Sequence, residues 1–266
     1  MKIIQYICLT CVLLFSFSSK AIVVRHDVQA KSYVLEETPT FIVDMPGGGH
    51  GALIAPNWVV TVAHLISPNY IGNKIQIGEH IVEVEKVIVH PGVKEIPENI
   101  ISGETSGIMD YLISSHDIAL LKLSTNLPDV APIEIYAGNE ELGKIITGFG
   151  KGTTGDGNIG SISGTQKEGV LRQLQNRIEE THSNWLSITF DKGDDALHLE
   201  GIDGSWDSGG PLIMTSHGKN YLVGLFSWDY IEGNASEFIA GLYGNKSYQV
   251  RISTYSDWLR KTMSEN

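Results

Sequence analysis

Between residues 40 and 252 the chain is a succession of short apolar or alternating segments separated by turns. They run over 40–44, 51–63, 74–77, 80–89 and 118–123, then 144–147, 170–178, 186–190, 211–214, 221–228, 237–242 and 248–252. Ile and Val dominate many of them, and β-branched residues suit a pleated, half-buried surface. With 29 glycines and only 9 prolines among 266 residues, the turns are tight and the linkers few. Short strands at regular spacing predict an all-β sandwich or barrel. One helix is predicted, over 254–263, with Thr254 and Asp257 as a capping pair and Trp258 and Leu259 on its apolar face. The stretch 152–164, rich in Gly, Ser and Thr, reads as a mobile surface loop, and 96–109 as a second long loop. No internal repeat is visible.

The first residues follow a different logic. Lys2 precedes an apolar run over 3–17, and Ser19-Lys20-Ala21 places small residues where a signal peptidase reads. The run is short of the roughly 20 apolar residues that span a bilayer. Residues 1–21 are therefore predicted to be a secretory signal peptide, the competing reading being an uncleaved anchor. No second long apolar run follows, so no stable membrane association is expected after cleavage. The product is expected to be exported, to the periplasm or the medium. Both cysteines, Cys8 and Cys11, fall inside this segment. Thr10 disfavours lipid attachment at Cys11. The remaining 245 residues can form no disulfide, so their stability must come from a large core. They carry 17 basic and 31 acidic residues. That balance argues against nucleic acid as a partner.

The segment Gly204-Ser205-Trp206-Asp207-Ser208-Gly209-Gly210-Pro211 is the most informative. A serine on a glycine-rich bend can expose its hydroxyl while neighbouring amides converge on a developing oxyanion. Serine is a weak nucleophile without a base. His64, in Thr61-Val62-Ala63-His64, offers one, and Asp117, at the head of an apolar segment, offers the carboxylate that would orient it. Each element alone is weak, and their order and context together carry the signal. Other motifs carry less. Gly47-Gly48-Gly49-His50-Gly51 lacks the Lys-Ser/Thr pair of a phosphate loop. Asp191, Asp194 and Asp195 read as a solvated acidic loop, and no His/Cys spacing suggests zinc. No metal and no cofactor are expected.

On these three motifs the chain resembles the trypsin/chymotrypsin-like serine proteases. Val89-His90-Pro91, Gly148-Phe149-Gly150, Ser227-Trp228 and 255–259 add weaker echoes, so the resemblance spans nearly all of 22–266. It implies an all-β fold of two six-stranded antiparallel β-barrels with a C-terminal helix. The N-terminal barrel is expected over 22–140, with His64 and Asp117, and the C-terminal barrel over 141–266, with Ser208. It implies peptide-bond hydrolysis through an acyl-enzyme, with His64 as base, Asp117 as its orienter and Ser208 as nucleophile. The oxyanion hole would be the amides of Trp206 and Ser208. The partners would be a peptide or protein substrate and a protein inhibitor. In the family a new Ile-Val terminus pairs with the Asp before the nucleophile; here Ile22-Val23 follows the predicted cleavage site, so Ile22 would pair with Asp207 without a propeptide.

Two departures matter. Trp206 stands where the family has glycine, which restricts the backbone of the oxyanion hole. It supports an alternative, a protease-fold binding protein with impaired catalysis; an esterase using the same three residues has no specific support. The substrate-binding positions are Ile202, Asp203, Ser227, Trp228 and Asp229. Ile202 replaces the pocket-base aspartate of trypsin. Asp203 and Asp229 either attract a basic side chain, or Asp229 narrows the pocket and Ile202 makes it apolar. The far wall, over 241–247, carries an apparent insertion.

Overall fold

The computed structural model describes residues 22–94, 105–162 and 170–266; the predicted signal segment and the outer parts of both predicted loops lie outside the described residues. A first sheet contains β2 (Ile42–Asp44), β3 (His50–Ala55), β4 (Trp58–Thr61), β5 (Lys74–Ile77), β6 (His80–Val89) and β7 (Ala119–Leu123), in the order β2-β3-β4-β7-β6-β5. The segment 51–63 is thus two strands, broken at Pro56-Asn57, where proline removes a ladder donor. The edge strands β2 and β5 pack against each other, curling this sheet into a barrel.

A second barrel-like sheet is built from β8 (Glu134–Ile135), β9 (Ile145–Gly150), β12 (Arg172–Arg177), β13 (Glu180–Thr181), β14 (Trp185–Thr189), β16 (Pro211–Ser216), β17 (Lys219–Asp229) and β18 (Lys246–Arg251). A smaller sheet joins β1 (Ile22–Val24), β10 (Thr154–Asp156), β11 (Gly160–Ser161) and β15 (Gly201–Ile202), in the order β11-β10-β1-β15. Here β1 runs parallel to β10 and antiparallel to β15, pairing Val23 with Ile202. The protein is therefore all-β with two barrel-like sheets and a C-terminal helix, as expected, although β1–β10 and β8–β17 are parallel pairs.

Val43, Leu53, Val59, Ile75 and Leu121 fill the first barrel. Ile146, Leu174, Leu186, Leu212 and Phe226 fill the second. A third cluster, with Trp58, Val60, Leu120, Leu225, Val250 and Tyr255, joins both sheets to the helix. Burying one such side chain stabilises by about 1.5–3 kcal/mol. A disulfide contributes about 2–4 kcal/mol. A few well-packed side chains therefore stand in for each bridge this chain lacks.

Four expectations need correction. The stretch 237–242 forms turns, not a strand. The stretch around 152–162 is no surface loop: it supplies β10 and β11, and a Cβ at Gly155 would lie 1.9 Å from the Gly160 carbonyl oxygen. Its glycines serve close backbone approach, which composition cannot distinguish from mobility. A helix, α1 (Thr105–Ser114), occupies part of the second predicted loop. It is held by tertiary contacts: Met109 is buried, and the Trp185 indole donates to the Ile113 carbonyl at 3.0 Å. The C-terminal helix, α2 (Ile252–Glu265), starts earlier than expected and lacks the Thr254–Asp257 cap. Thr254 donates to the Ser183 carbonyl instead, and Arg251 anchors the helix start on buried Glu141 at 2.9–3.0 Å.

Candidate active site

The antiparallel register of β4 with β7 sets Thr61 opposite Ala119. Residues just past the end of β4 therefore lie beside residues just before β7. His64, in a short 3-10 turn over Ala63–Leu65, meets Asp117 there. The His64 Nδ1 lies 2.7 Å from Asp117 Oδ2, and the His64 backbone N–H donates to Oδ1 at 2.9 Å. The Ser227 hydroxyl donates to the same Oδ2 at 2.6 Å. β17 thus reaches across from the second sheet to complete the carboxylate's shell.

These contacts set the electrostatics. Burial alone would raise the Asp117 carboxyl, but the His64 and Ser227 contacts outweigh it and hold Asp117 below the ordinary carboxylate range. Burial pulls His64 down, yet the Asp117 hydrogen bond and charge win, so His64 sits above its ordinary value. An ionised Asp117 accepts from Nδ1–H, which leaves the neutral imidazole with its lone pair on Nε2. The His64 side chain remains 44% exposed, so that nitrogen can meet a substrate.

Ser208 lies in the turn between β15 and β16, on a loop clamped by both sheets. Its carbonyl accepts from the His50 N–H at 2.8 Å, and the Gly209 N–H donates to the Phe226 carbonyl at 2.8 Å. Gly209 has φ +74°, and a Cβ there would lie 2.0 Å from the His50 carbonyl oxygen. Only glycine lets the loop press this close to β3. Phe226 precedes Ser227, so the Ser208 loop and the Asp117 shell hang from adjacent residues of β17. Among the described residues no hydrogen bond joins His64 to Ser208. Such bonds commonly tighten only when substrate is bound.

Trp206 adopts φ +75° and is 52% exposed. The left-handed region costs a residue with a Cβ on the order of 1 kcal/mol. Here the chain takes that cost, so the tryptophan holds a backbone conformation glycine would take freely.

Asp207 is fully buried, and its carboxylate accepts from the Gly152 N–H at 2.7 Å and the Gly204 N–H at 2.9 Å. The Ile22 amide donates to it as well. Burial still pushes this carboxyl up to about 7. Ile22 is itself buried and has φ +62°, an unusual conformation for a β-branched residue.

The substrate-binding candidates separate. Ser227 joins the Asp117 shell. Trp228 stacks on Tyr248 at 4.3 Å and meets Trp185 edge-on, forming one wall of a cleft of about 320 Å³ beside His64. Leu112 and Tyr111 of α1 form another wall. Ile202 is fully buried with Val23 and Phe190. Asp203 and Asp229 instead converge on Ser247, which accepts from Gln249. Ser247, Gln249 and α1 were not singled out from sequence. Their available signals were polar residues two apart in β18 and the helical spacing of Ile108, Tyr111 and Leu112. Among the described residues there is no group of three His, Cys, Asp or Glu side chains suited to a metal ion.

A family model described as Trypsin matches residues 35–259. This chain belongs to the trypsin family. It is 28% identical to chymotrypsin-like elastase family member 1 of Macaca fascicularis, over 81% of this chain and 79% of that protein. Tryptase of Mus musculus is also 28% identical, over 79% of this chain and 76% of its own length. The calcium-dependent serine proteinase of Mesocricetus auratus is 28% identical over 84% of this chain, which spans only 33% of that longer protein. These relatives place the chain among serine-type peptidases at family level. Among the described residues no helix is long and apolar enough to cross a membrane.

Proposed function

We propose that this protein is an exported serine endopeptidase acting on peptide or protein substrates. The His64–Asp117 pair at 2.7 Å, beside a Ser208 loop clamped between two sheets, carries the reading. Ser208 Oγ attacks the scissile carbonyl carbon while His64 Nε2 takes its proton. The tetrahedral oxyanion is held by the amides of Trp206 and Ser208. Collapse breaks the C–N bond, and His64 returns the proton to the leaving amine. Water, deprotonated by His64, then attacks the acyl-enzyme ester; the carboxylic product leaves and Ser208 regains its proton. Asp117 fixes the tautomer and stabilises the imidazolium throughout. The Trp206 backbone conformation supports this reading over a catalytically impaired binding protein, because the tryptophan takes a geometry natural to glycine.

The secreted protein is expected to react with a fluorophosphonate and give one adduct per chain, on the peptide carrying Ser208. A folded protein that gives no adduct, or gives one elsewhere, overturns the reading.

The reading includes activation by a terminus at Ile22. In a continuous chain the positive φ of Ile22 stores about 1–3 kcal/mol of strain. Cleavage before Ile22 removes the preceding carbonyl that causes it. The freed ammonium then faces the buried Asp207 carboxylate in place of an amide. Pairing pulls Asp207 back down and raises the ammonium, so the active form weakens as pH falls through the first and as it rises through the second. N-terminal sequencing of the secreted protein is expected to begin at Ile22. A chain extended by even Ala21 is expected to react about 100–1,000-fold more slowly, the cost of a lost oxyanion donor. A different native terminus, or an extended chain of equal rate, rules this activation out.

A further inference from the structure

The run Gly47-Gly48-Gly49-His50-Gly51 has no role in the chemistry above, yet it lies against the nucleophile loop. It turns β2 back onto β3 so that Asp44 and His50 are ladder partners. Side chains directly opposite each other share a face of the sheet. Lys151, just past the end of β9, closes a ring with them. Its Nζ lies 2.7 Å from Asp44 Oδ2, and its backbone N–H donates to His50 Nε2 at 3.0 Å. An accepting Nε2 puts the imidazole proton on Nδ1. Nδ1 faces Asp44 Oδ1 at 3.3 Å, inside a buried residue. That approach falls short of a hydrogen bond, so the link is chiefly electrostatic. Burial would raise the Asp44 carboxyl, but the His50 and Lys151 contacts outweigh it and hold it down at about 2.

The ring sits where three parts of the site meet. The His50 N–H donates to the Ser208 carbonyl, and the His50 carbonyl accepts from the Thr61 hydroxyl at 2.7 Å, on the strand that leads to His64. On the other side, Lys151 is flanked by glycines pressed onto the loop before Ser208. A Cβ at Gly150 would lie 2.0 Å from Asp207 Oδ1, and one at Gly152 would lie 2.3 Å from the Ser205 carbonyl oxygen. The Gly152 N–H donates to Asp207, and the Thr153 N–H donates to the Ser205 carbonyl at 2.7 Å. Both neighbours of Trp206 are therefore held by residues 152 and 153. Trp206 needs that hold. Its φ of +75° is unfavourable for a residue with a Cβ, whereas glycine would adopt it freely.

We propose that His50 is a positioning residue for the oxyanion hole: its Nε2 fixes the Lys151 amide, and with it residues 150–153, so that Trp206 keeps the conformation in which its amide can donate. The proposal rests on the protease reading. His50 touches neither substrate nor the reacting atoms. Asp44 and the Lys151 ammonium orient its ring, and the Lys151 amide is what the ring holds.

The two sides of the imidazole can be tested apart in the secreted protein. His50→Gln places an acceptor near the position of Nε2 and loses the Nδ1 side. His50→Asn keeps a polar group near Nδ1 and is too short to reach Lys151. Saturation kinetics with a fluorophosphonate give KI and kinact separately and require no known substrate sequence. H50N is expected to lower kinact about 30–100-fold with KI within about threefold, the cost of displacing a donor by about 1 Å. H50Q is expected to stay within about fivefold of wild type, because the Lys151 amide keeps an acceptor. In a W206G background H50N is expected to cost less than about fivefold, a coupling that a double-mutant cycle reads directly. Equal losses in H50N and H50Q, or an H50N loss that W206G leaves intact, give His50 a packing role only and overturn the proposal. Lys151→Ala opens the ring without touching the buried imidazole. It is expected to lower kinact about fivefold beside Trp206 and not beside Gly. Should H50N fail to fold, the absence of that difference overturns the proposal. A folded wild type that gives no adduct removes the protease reading and this role with it. A reactive wild type matched by an equally fast H50N removes the role of His50 alone.

Discussion

Ser208→Ala is expected to lower kcat/KM on a peptide substrate by roughly 10⁴- to 10⁶-fold while leaving the melting temperature within about 2 °C. The two halves of that expectation have separate causes. The Ser208 loop is held by backbone groups: the Ser208 carbonyl, the Gly209 amide and the turn closed from Gly210 N–H to the Asp207 carbonyl at 2.9 Å. Removing Oγ touches none of them, so the fold stays. Chemistry is expected to change completely, because the variant lacks the proposed nucleophile. Groups that act as a unit lose nearly their whole contribution when one is removed, and about 10³–10⁴ over water persists from oxyanion binding and positioning alone. Steady-state kinetics with a thermal melt checks both halves. Activity retained above about 1% would place the nucleophile elsewhere.

Asp117→Asn is expected to cost about 10⁴-fold in kcat/KM with nearly unchanged geometry. Asn keeps the shape but turns one oxygen into an NH₂. Asp117 Oδ2 currently accepts from both His64 Nδ1 and the Ser227 hydroxyl. An amide NH₂ facing Nδ1 demands an acceptor there, which drives the imidazole proton to Nε2 and removes the base. The pH profile moves too. With the carboxylate gone, the influences that raise His64 vanish and burial alone remains, so its pKa falls below the ordinary value. The rising limb of the kcat/KM profile is therefore expected at lower pH in the variant, at a much lower plateau. A variant that loses activity without moving the limb would give Asp117 a structural role only.

The reach of the sequence differs from residue to residue. His64 and Asp117 were legible because each sits against a strand whose apolar pattern fixes its register. The segments 74–77 and 80–89 appear as β5 and β6 with the same bounds, since tight turns flank them, although the β6–β7 ladder shifts register between Val84 and Lys86. The segment 152–164 was misread because glycine has the same local signature whether it frees a loop or admits a neighbouring backbone. α1 was missed because its helix is stabilised by Trp185 and the Ile231 amide, far away in the chain. The Thr254–Asp257 cap failed for a related reason: a Ser183 carbonyl across the interface competed for the hydroxyl.

What the sequence determined by itself was therefore the all-β class, the need for a disulfide-free core in residues 22–266, and the identities of His64, Asp117 and Ser208 as a candidate set. These rest on periodicity, composition, local motifs and the order of those motifs along the chain, all of which are read without knowing which strands meet. Only the tertiary structure decided that Ile202 is core while Asp203 and Asp229 meet over Ser247, that Gln249 is left with an unpaired oxygen, and that Trp206 holds a glycine-like conformation. Each of these depends on strands separated by tens of residues, and on which groups are left without a partner once those strands have paired.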